Sequence, residues 1–304
     1  MESYRLAASV VIPCYRHATE LRWCLEGLRQ QNLQDRFEVI VVESAAEPEV
    51  EVVVRTYEGV RLARSDTRLG PGPARNLGAR LARADVLAFT DADCIPNRGW
   101  LAEAVNALEK GATVVGGPVL DARPMHPVAV ADNALQFSEW LPGRPEGPAE
   151  HFPGCNIAID RSKFRQIGGF PEHLDLRGSD VLFCQNASAR WPTGFRFSPT
   201  MMVRHSGSTR VMAFLRRQTA LGFSRGFLGY YVRPLVRRLG TSAFFVAPLA
   251  FSRLAYILGR WICWQPFELP RILLVLPLMA AGLLAWGIGF RRGLLTSVEA
   301  CASE

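Results

Sequence analysis

Short apolar runs alternate with amphipathic stretches along the first third of this 304-residue chain. Residues 9–12, 37–42 and 86–90 are apolar runs of the length typical of buried strands. Residues 19–31 and 73–83 carry apolar side chains at helical spacing between those runs. Strands that alternate with helices predict an α/β fold with a mostly parallel sheet flanked by helices. Ligands of such sheets bind beyond the carboxyl ends of the strands, so we expect the site in the segments that follow the three strands.

The pattern predicts further elements on either side of the third strand. Residues 50–57 and 180–190 are expected to be helices, and residues 112–115 and 155–159 to be strands. Residues 121–153 are rich in proline and glycine, which predicts one long loop. Loops of this length are usually functional or mobile.

Composition narrows the class of protein. The chain is 49% hydrophobic and 21% charged, which excludes a disordered chain. A net charge of +7 favours either nucleic acid or an anionic membrane surface as a partner. Because no nucleic-acid-binding motif is present, we expect no nucleic-acid partner. Seven scattered cysteines without a CxxC pair predict reduced thiols, and the first six residues predict no signal peptide.

The composition changes near residue 209. Residues 211–238 mix aromatic side chains with arginines, a pattern that suits helices lying in a membrane interface. Residues 272–290 are 19 residues without a charge, long enough as a helix to span about 28 Å. This run predicts a transmembrane helix, and the alternative is a buried helix of a soluble protein.

Residues 239–264 allow two interpretations. Arg253 interrupts an uncharged run there, and an arginine at mid-membrane costs roughly 2.5–3.5 kcal/mol. The segment is therefore either a second span or a re-entrant interfacial helix. In a hairpin, residues 265–271 would form the turn on the far side of the membrane, and the arginines before and after the hairpin would share the cytoplasmic side.

Two carboxylates follow the third predicted strand. Asp91 and Asp93 lie two residues apart at the expected carboxyl edge of the sheet. Such a pair can hold a hard divalent cation together with a substrate diphosphate, because Mg²⁺ favours a few carboxylates plus phosphate oxygens. The alternative is a loop in which one aspartate caps a helix.

Other candidate binding residues follow the first two strands. Tyr15 could stack on a nucleobase, and Glu43 could accept a hydrogen bond from a base or a ribose. Arg75 lies in a turn that runs into the helix over residues 73–83, where it could bind a phosphate or an acid. Each of these residues, taken alone, also fits ordinary strand-end or turn chemistry.

Six segments in order resemble glycosyltransferase family 2, whose members have the GT-A fold. They cover about residues 8–207 and read SVVIPCY, FEVIVVES, GPARNLGAR, VLAFTDADCIP, GCNIAI followed by IGGF, and GSDVLFC. The resemblance implies a GT-A-type mostly parallel sheet flanked by helices, followed by C-terminal interfacial and transmembrane helices. It also implies an inverting transfer from a nucleotide-diphosphate sugar with Mg²⁺ or Mn²⁺.

The resemblance implies a role for each matching residue. Asp180 would be the general base, Asp93 the direct metal ligand, and Asp91 its partner at the metal and nucleotide sugar. His205 would reach the metal or the diphosphate. The remaining residues would line the nucleotide site (Pro13, Tyr15, Glu43 and Arg75) or the acceptor side (Gly154 and Asn156).

Three of these assignments have a structural alternative. Asp180 could simply cap the helix that it begins, and a lone histidine such as His205 is often structural. Trp140, in the long loop, could pack over a sugar or lipid on the acceptor side, or could only anchor the loop.

These assignments divide the chain into regions. Residues 1–208 form the transferase domain, with 1–115 as the nucleotide-binding half and 116–208 as the acceptor half. Residues 209–238 form the basic interfacial helices, 239–292 the hydrophobic membrane segment or segments, and 293–304 a tail.

The expected enzyme is attached to a membrane with its catalytic domain on the cytoplasmic face. It would pass one sugar, or a few, to a lipid-linked or glycan acceptor, because the Gln-x-x-Arg-Trp motif of processive polymerases is absent. Ser44 and Ser179 stand where the family often has acids, which motivates the alternative of an inactive GT-A-fold scaffold at the membrane. A nucleotidyltransferase is disfavoured, because no Gly-rich loop with Arg and Lys follows the first strand.

Overall fold

A computed structural model describes residues 6–33, 37–172, 177–229, 236 and 239–302. The chain divides into two compact units. The sheet unit comprises Met1–Ala122, Arg144–Asp175 and Ser179–Ser206, and the helical unit comprises Arg123–Gly143, Leu176–Gly178 and Gly207–Glu304. The sequence places residues 123–143 in the acceptor half, whereas here they cluster with the C-terminal helices.

The first elements of the sheet unit alternate as the apolar pattern predicts. In order they are β1 (Ala8–Cys14), α1 (Ala18–Arg29), β2 (Phe37–Glu43), α2 (Pro48–Arg55), β3 (Val60–Arg64), α3 (Pro71–Leu81) and β4 (Val86–Phe89). The sequence pattern predicts no strand at β3. This strand lies at the edge of the sheet, where its arginines are tolerated, and they interrupt the apolar pattern.

Residues 94–205 form shorter elements. They are β5 (Cys94–Pro96), α4 (Trp100–Glu109), β6 (Val114–Gly116), β7 (Val119–Asp121), α5 (Pro127–Phe137, in the helical unit), β8 (Gly147–Pro148), β9 (Ile157–Asp160), α6 (Arg161–Gln166), α7 (Ser179–Arg190), β10 (Phe195–Phe197) and β11 (Val203–His205). The predicted helix at the position of α7 is confirmed, whereas α4 is missed by the sequence pattern.

The main sheet has the strand order β3-β2-β1-β4-β9-β6-β10-β8, and a small sheet has the order β5-β11-β7. Four of the seven pairings in the main sheet are parallel: β1–β2, β1–β4, β2–β3 and β6–β10. The other three are antiparallel: β4–β9, β6–β9 and β8–β10. The prediction of a mostly parallel sheet is therefore confirmed, and its parallel part brings the carboxyl ends of β1, β2 and β4 to one edge.

The long loop predicted over residues 121–153 is wrong, because α5 occupies its middle. Asp132 and Asn133 interrupt the apolar run of α5, so the sequence gives no clear helical period. Asp132 is nevertheless fully buried, where it accepts hydrogen bonds from the Ser208 amide and from Gln218. A buried carboxylate of this kind is tolerated only with such partners, which lie far away in the sequence.

The helical unit continues with α8 (Val211–Leu228), a 3₁₀ turn (Ala243–Phe245), α9 (Val246–Trp264), a second 3₁₀ turn (Pro266–Glu268), α10 (Leu269–Leu274) and α11 (Leu276–Ala302). The helix predicted over residues 272–290 is present but is interrupted at Val275, where α10 has ended; α11 then begins with Pro277 in its first turn. Two stretches, Ala243–Trp264 and Leu276–Ser297, have the length and composition of membrane-crossing helices. The second includes Arg291 and Arg292, which the sequence places outside the span.

Glycines bring α8 and α11 into backbone contact. A Cβ atom on Gly222 would lie 2.0 Å from the Trp286 carbonyl oxygen, and one on Gly289 would lie 2.0 Å from the Thr219 carbonyl oxygen. Small residues at such positions let two helices approach closely. The face of α8 that contains Gly222 is thus buried against α11, which corrects the expectation of a separate interfacial helix for this part of 209–238. Residues 230–235, 237 and 238 of that segment lie outside the described residues.

The contact between α8 and α11 predicts different effects for two identical substitutions in helix interiors. Gly222→Ala should lower the free energy of unfolding by about 1–3 kcal/mol, because its new methyl group overpacks a backbone contact. Gly259→Ala in α9 is the control, since no heavy atom lies within 4 Å of its added Cβ. Thermal unfolding in detergent should show a lower Tm only for Gly222→Ala, and equal Tm values would contradict the close packing.

Candidate functional site

The ends of three neighbouring parallel strands bring the predicted binding residues to one edge of the sheet. Cys14 pairs with Glu43 where β1 and β2 end, and Val11 pairs with Phe89 where β4 ends. Pro13 is the second-last residue of β1, directly before Cys14. Residues that directly follow these strands therefore emerge side by side, as the sequence predicts.

A buried ion pair links α3 to the end of β4. The Arg75 side chain is only 4% exposed, and its Nη2 donates to Oδ1 of Asp91 over 2.6 Å. The guanidinium also lies over the ring of Phe170, with 5.4 Å from Cζ to the ring centroid. Burial opposes the charge of Arg75, but the carboxylates of Asp91 and Asp180 outweigh it and raise the pKa of Arg75. Arg75 is therefore a fixed cation among acids.

Gly154 connects this ion pair to the predicted base. Its amide donates to Oδ2 of Asp180 over 3.0 Å, while the Val181 amide donates to Oδ1 over 2.9 Å. A Cβ atom at Gly154 would lie 2.6 Å from Cζ of Arg75. Only glycine leaves room for the guanidinium at this position, so Gly154 lies between Arg75 and Asp180. Sequence analysis places Gly154 at the acceptor side but gives no sign of its contact with Arg75.

Pairing in the small sheet brings His205 to Asp93. β11 runs antiparallel to β5 with His205 opposite Cys94, and the Ser206 amide donates to the Asp93 carbonyl oxygen over 2.9 Å. His205 Nε2 consequently lies 3.4 Å from Asp93 Oδ2. The two residues are 112 positions apart in the sequence, so only the family resemblance, and no local pattern, predicts that they meet.

The donor set at this edge suits a divalent cation that is held mainly by its substrate. Asp93 offers a carboxylate and His205 an imidazole, whereas Oδ1 of Asp91 is engaged by Arg75. Across the part of the chain that the structure describes, no three His, Cys, Asp or Glu side chains form a metal-binding group. Mg²⁺ and Mn²⁺ need few protein ligands where phosphate oxygens complete the coordination, so this sparse set fits such an ion.

Glu43 has one oxygen occupied and one available. Its Oε1 accepts hydrogen bonds from the amides of Ala45 and Glu47, which fix the carboxylate at the end of β2. Its Oε2 is buried and has no hydrogen-bond partner among the described residues. A buried carboxylate oxygen without a donor is costly, so this atom fits a bound N–H or O–H group. The geometry is compatible with the predicted contact to a base or a ribose.

Two arginines that the sequence pattern does not single out lie over the ring of Tyr15. The guanidinium of Arg16 lies 5.3 Å from the Tyr15 ring centroid, and that of Arg68 lies 4.7 Å from it. Arg16 has a φ of 58°, which marks the sharp turn after β1. Two guanidinium groups therefore cover part of the Tyr15 ring, which was predicted to stack on a nucleobase. The sequence signal was present, since Arg68 lies just before the glycine-rich turn that leads into α3.

Asn156 is placed as a structural residue rather than an exposed acceptor contact. The side chain is fully buried, accepts from the Trp100 indole over 2.8 Å, and donates to the carbonyl oxygens of Pro118 and Met201. These bonds use both of its donors, so we correct its expected role on the acceptor side. The physical reason is that a buried amide must satisfy its polar atoms internally.

Trp140 lies in the helical unit and is also buried. Its ring packs edge-on against Phe137, with 6.4 Å between the centroids. A buried indole favours the alternative in which Trp140 anchors its loop, and it presents no open face to a sugar.

A model of the family described as Glycosyl transferase family 2 matches residues 9–168. The chain belongs to glycosyltransferase family 2. Glycosyltransferase AglE of Haloferax volcanii is 27% identical over 186 residues, which cover 59% of this chain and 60% of AglE. Pre-mycofactocin glycosyltransferase of Mycobacterium tuberculosis is 27% identical over 227 residues, which cover 71% of this chain and 46% of that protein. The chain therefore spans less than two thirds of both relatives.

A solved structure shares the fold of this family 2 chain. A mannosyltransferase from Pyrobaculum calidifontis, in complex with GDP-Man and Mn²⁺, matches with a TM-score of 0.59 and 22% identity. The match covers 95% of this chain and 88% of that one. Together with the family match, this likeness confirms the predicted GT-A-type fold.

The contact between Gly154 and Arg75 predicts the effect of one methyl group. Gly154→Ala should lower the free energy of unfolding by about 1–3 kcal/mol, because the guanidinium must leave its place or the backbone must shift. Gly99→Ala is the control in the same unit, since its Cβ would meet no heavy atom within 4 Å. Urea unfolding measures both variants, and equal losses would show that Gly154 does not shape the site.

Proposed function

We propose that this chain transfers a sugar from a nucleotide-diphosphate sugar to an acceptor hydroxyl, with inversion at the anomeric carbon. One observation carries the proposal: Asp91 and Asp180 meet around Arg75 and Gly154 at the carboxyl edge of the sheet. The family supports the reaction class, and the solved neighbour, which holds GDP-Man, supports a nucleotide sugar as the donor.

In the proposed reaction Asp180 is the general base. It takes the proton of the acceptor hydroxyl as the oxygen forms a bond to the anomeric carbon. The bond from that carbon to the diphosphate breaks, and its electron pair leaves with the nucleoside diphosphate. Because a single displacement of this kind inverts the anomeric carbon, no covalent nucleophile is needed. The amides of Gly154 and Val181 each donate to one oxygen of Asp180 and together fix the orientation of the carboxylate.

A second group of residues is proposed to balance the charge of the leaving diphosphate. Asp93 and His205 are the residues that would hold Mg²⁺ or Mn²⁺, and the bound ion would neutralise the diphosphate as a Lewis acid. Arg75 orients Asp91 through the hydrogen bond from its Nη2 to Oδ1. Glu43 offers its unpaired oxygen to the base or ribose, and Arg16 and Arg68 supply positive charge beside Tyr15.

The acceptor is proposed to be lipid-linked or a glycan at a membrane, with the sheet unit on the cytoplasmic side, where nucleotide sugars are made. The two apolar helical stretches of the helical unit support membrane attachment. Attachment would concentrate the site at the surface that carries a hydrophobic acceptor. We expect one sugar or a few to be transferred, without export of a polymer.

Asp180→Asn tests the proposed base. The variant should lose about 10²- to 10⁴-fold in transfer rate while it still binds the nucleotide sugar, because an amide cannot take the proton. The assay is release of nucleoside diphosphate from a panel of nucleotide sugars, with membrane lipid extract and Mn²⁺ or Mg²⁺.

Asp85→Asn is the matched control for this substitution. Asp85 is half exposed and pairs with Arg161 at the surface of the sheet unit, so its loss should leave turnover near that of the unmodified enzyme. Turnover by Asp180→Asn equal to that of Asp85→Asn would remove the proposed base. Donor binding without turnover in the unmodified protein, across all acceptors, would favour the inactive scaffold.

A further inference from the structure

The outward face of α9 is apolar along its whole length. Only three of the 19 residues of α9 are buried, namely Ala250, Ile257 and Trp261, so this helix is not the core of a soluble bundle. Phe251, Tyr256 and Ile262 point outward, and Phe267 and Leu274 extend the same exposed apolar character through the turn to α10. An exposed apolar area of this extent marks a surface that contacts a membrane or a partner.

The two arginines of α9 do not interrupt this face. Arg253 lies over the Trp286 ring, with 4.1 Å to its centroid, and its Nη2 is 3.4 Å from the Leu135 carbonyl oxygen. Arg260 pairs with Glu139 over 3.1 Å. Both cations thus have partners within the helical unit, which removes the cost that Arg253 would have in contact with lipid.

Two apolar clusters define the ends of the helical unit. The near end joins Phe214 of α8, Trp261 of α9 and Met279 of α11 to α5. The far end joins Phe290 of α11 to Leu249 of α9 and to the last turns of α8. α8 and α11 therefore run from the near end to the far end, and α9 runs back.

The chain passes between the two units at five places, and four of them lie among the described residues, namely 122/123, 143/144, 178/179 and 206/207. Within the helical unit, Gly143 packs on Trp264 and Gly207 packs on Ala129, both at the near end. The segment that starts at residue 123 is held there too, because Arg271 lies 3.4 Å from the Pro124 carbonyl oxygen.

The fourth crossing point lies elsewhere in the helical unit. A Cβ atom on Gly178 would lie 3.5 Å from Leu228, the last residue of α8, and Gly226 of the same turn packs on Phe290 of α11. Crossing points therefore occur at both ends of α8. Because α8 packs along α11, these points are also separated along the length of α11. All four are bonded to one folded sheet unit, so all four must lie on the same side of a bilayer. A membrane crossed by α11 would separate them.

We infer that the helical unit attaches to an anionic membrane from one side, with the outward face of α9 and the turn at Phe267 inserted in a single leaflet. The inference rests on the membrane attachment in the proposed function but not on the transfer chemistry. Arg225, Arg291 and Arg292 lie toward the far end. In a spanning arrangement these arginines would emerge opposite three crossing points, against the usual bias of basic residues to the cytoplasmic side. In the one-sided arrangement they meet the headgroups of the same leaflet.

Cysteine labelling in intact bacterial cells separates the two arrangements. Three variants of the full chain each carry one added cysteine in a Cys263→Ser and Cys301→Ser background, which keeps the five buried cysteines; they report on the far end (Ser242→Cys), the turn (Gln265→Cys) and a highly exposed reference position (Met125→Cys). A membrane-impermeant maleimide is added before and after lysis. One-sided attachment predicts that all three sites are protected in intact cells and react after lysis and detergent treatment.

A spanning arrangement gives a different pattern, in which Ser242→Cys or Gln265→Cys reacts in intact cells while Met125→Cys does not. That pattern would overturn the inference. Reaction of all three sites in intact cells would instead refute only the proposed cytoplasmic orientation. Recovery of the full chain in the soluble fraction would refute membrane attachment, and neither result bears on the transferase chemistry.

A second measurement tests the inserted face directly. Phe251→Asp should reduce binding to phosphatidylglycerol vesicles in flotation about tenfold or more, because the aromatic surface leaves the lipid. Val52→Asp is the control, since Val52 is 58% exposed on α2 in the sheet unit. Equal flotation of the two variants would overturn the assignment of this face. Equal binding of the unmodified protein to phosphatidylcholine and phosphatidylglycerol vesicles would overturn the preference for an anionic membrane.

Discussion

The buried guanidinium of Arg75 is the interaction on which the arrangement of the site depends. A cation that is almost fully removed from water is stable only with compensating charge, and Asp91 and Asp180 supply it. This requirement fixes the end of β4, the start of α7 and the Gly154 backbone relative to α3. The geometry of the candidate substrate site therefore follows from the carboxylates that the buried Arg75 guanidinium requires.

The side of the site that is proposed to hold a metal ion has fewer ligands than the acidic side around Arg75 has charges. The geometry leaves Asp93 and His205 as a pair, and no third His, Cys, Asp or Glu joins them among the described residues. A weak protein site makes ion binding depend on the diphosphate, because phosphate oxygens must complete the coordination. An ion held by this pair would therefore depend on the donor for its remaining ligands.

The helical unit solves a different physical problem. Its glycine contacts hold α8 and α11 together without large side chains, and its buried Asp132 and paired arginines satisfy polar groups inside. Among the described residues, large apolar side chains on the outward face of α9 stay exposed. The unit therefore combines an apolar interior, in which a few buried polar groups are satisfied, with an apolar outer face, and the proposed membrane contact would cover that face.

The sequence by itself determined the family, the alternating strands and helices, and the carboxylates at the strand ends, because apolar period and local motifs are short-range signals. It did not reveal α5, the break at Val275 or the internal role of Asn156. The buried polar contacts of α5 and of Asn156 depend on partners far along the chain, as does the meeting of His205 with Asp93 through the pairing of β5 and β11, whereas the break at Val275 comes two residues before Pro277. Only the tertiary structure decided which polar residues face the substrate and which satisfy one another, since burial and hydrogen bonding are set by distant neighbours.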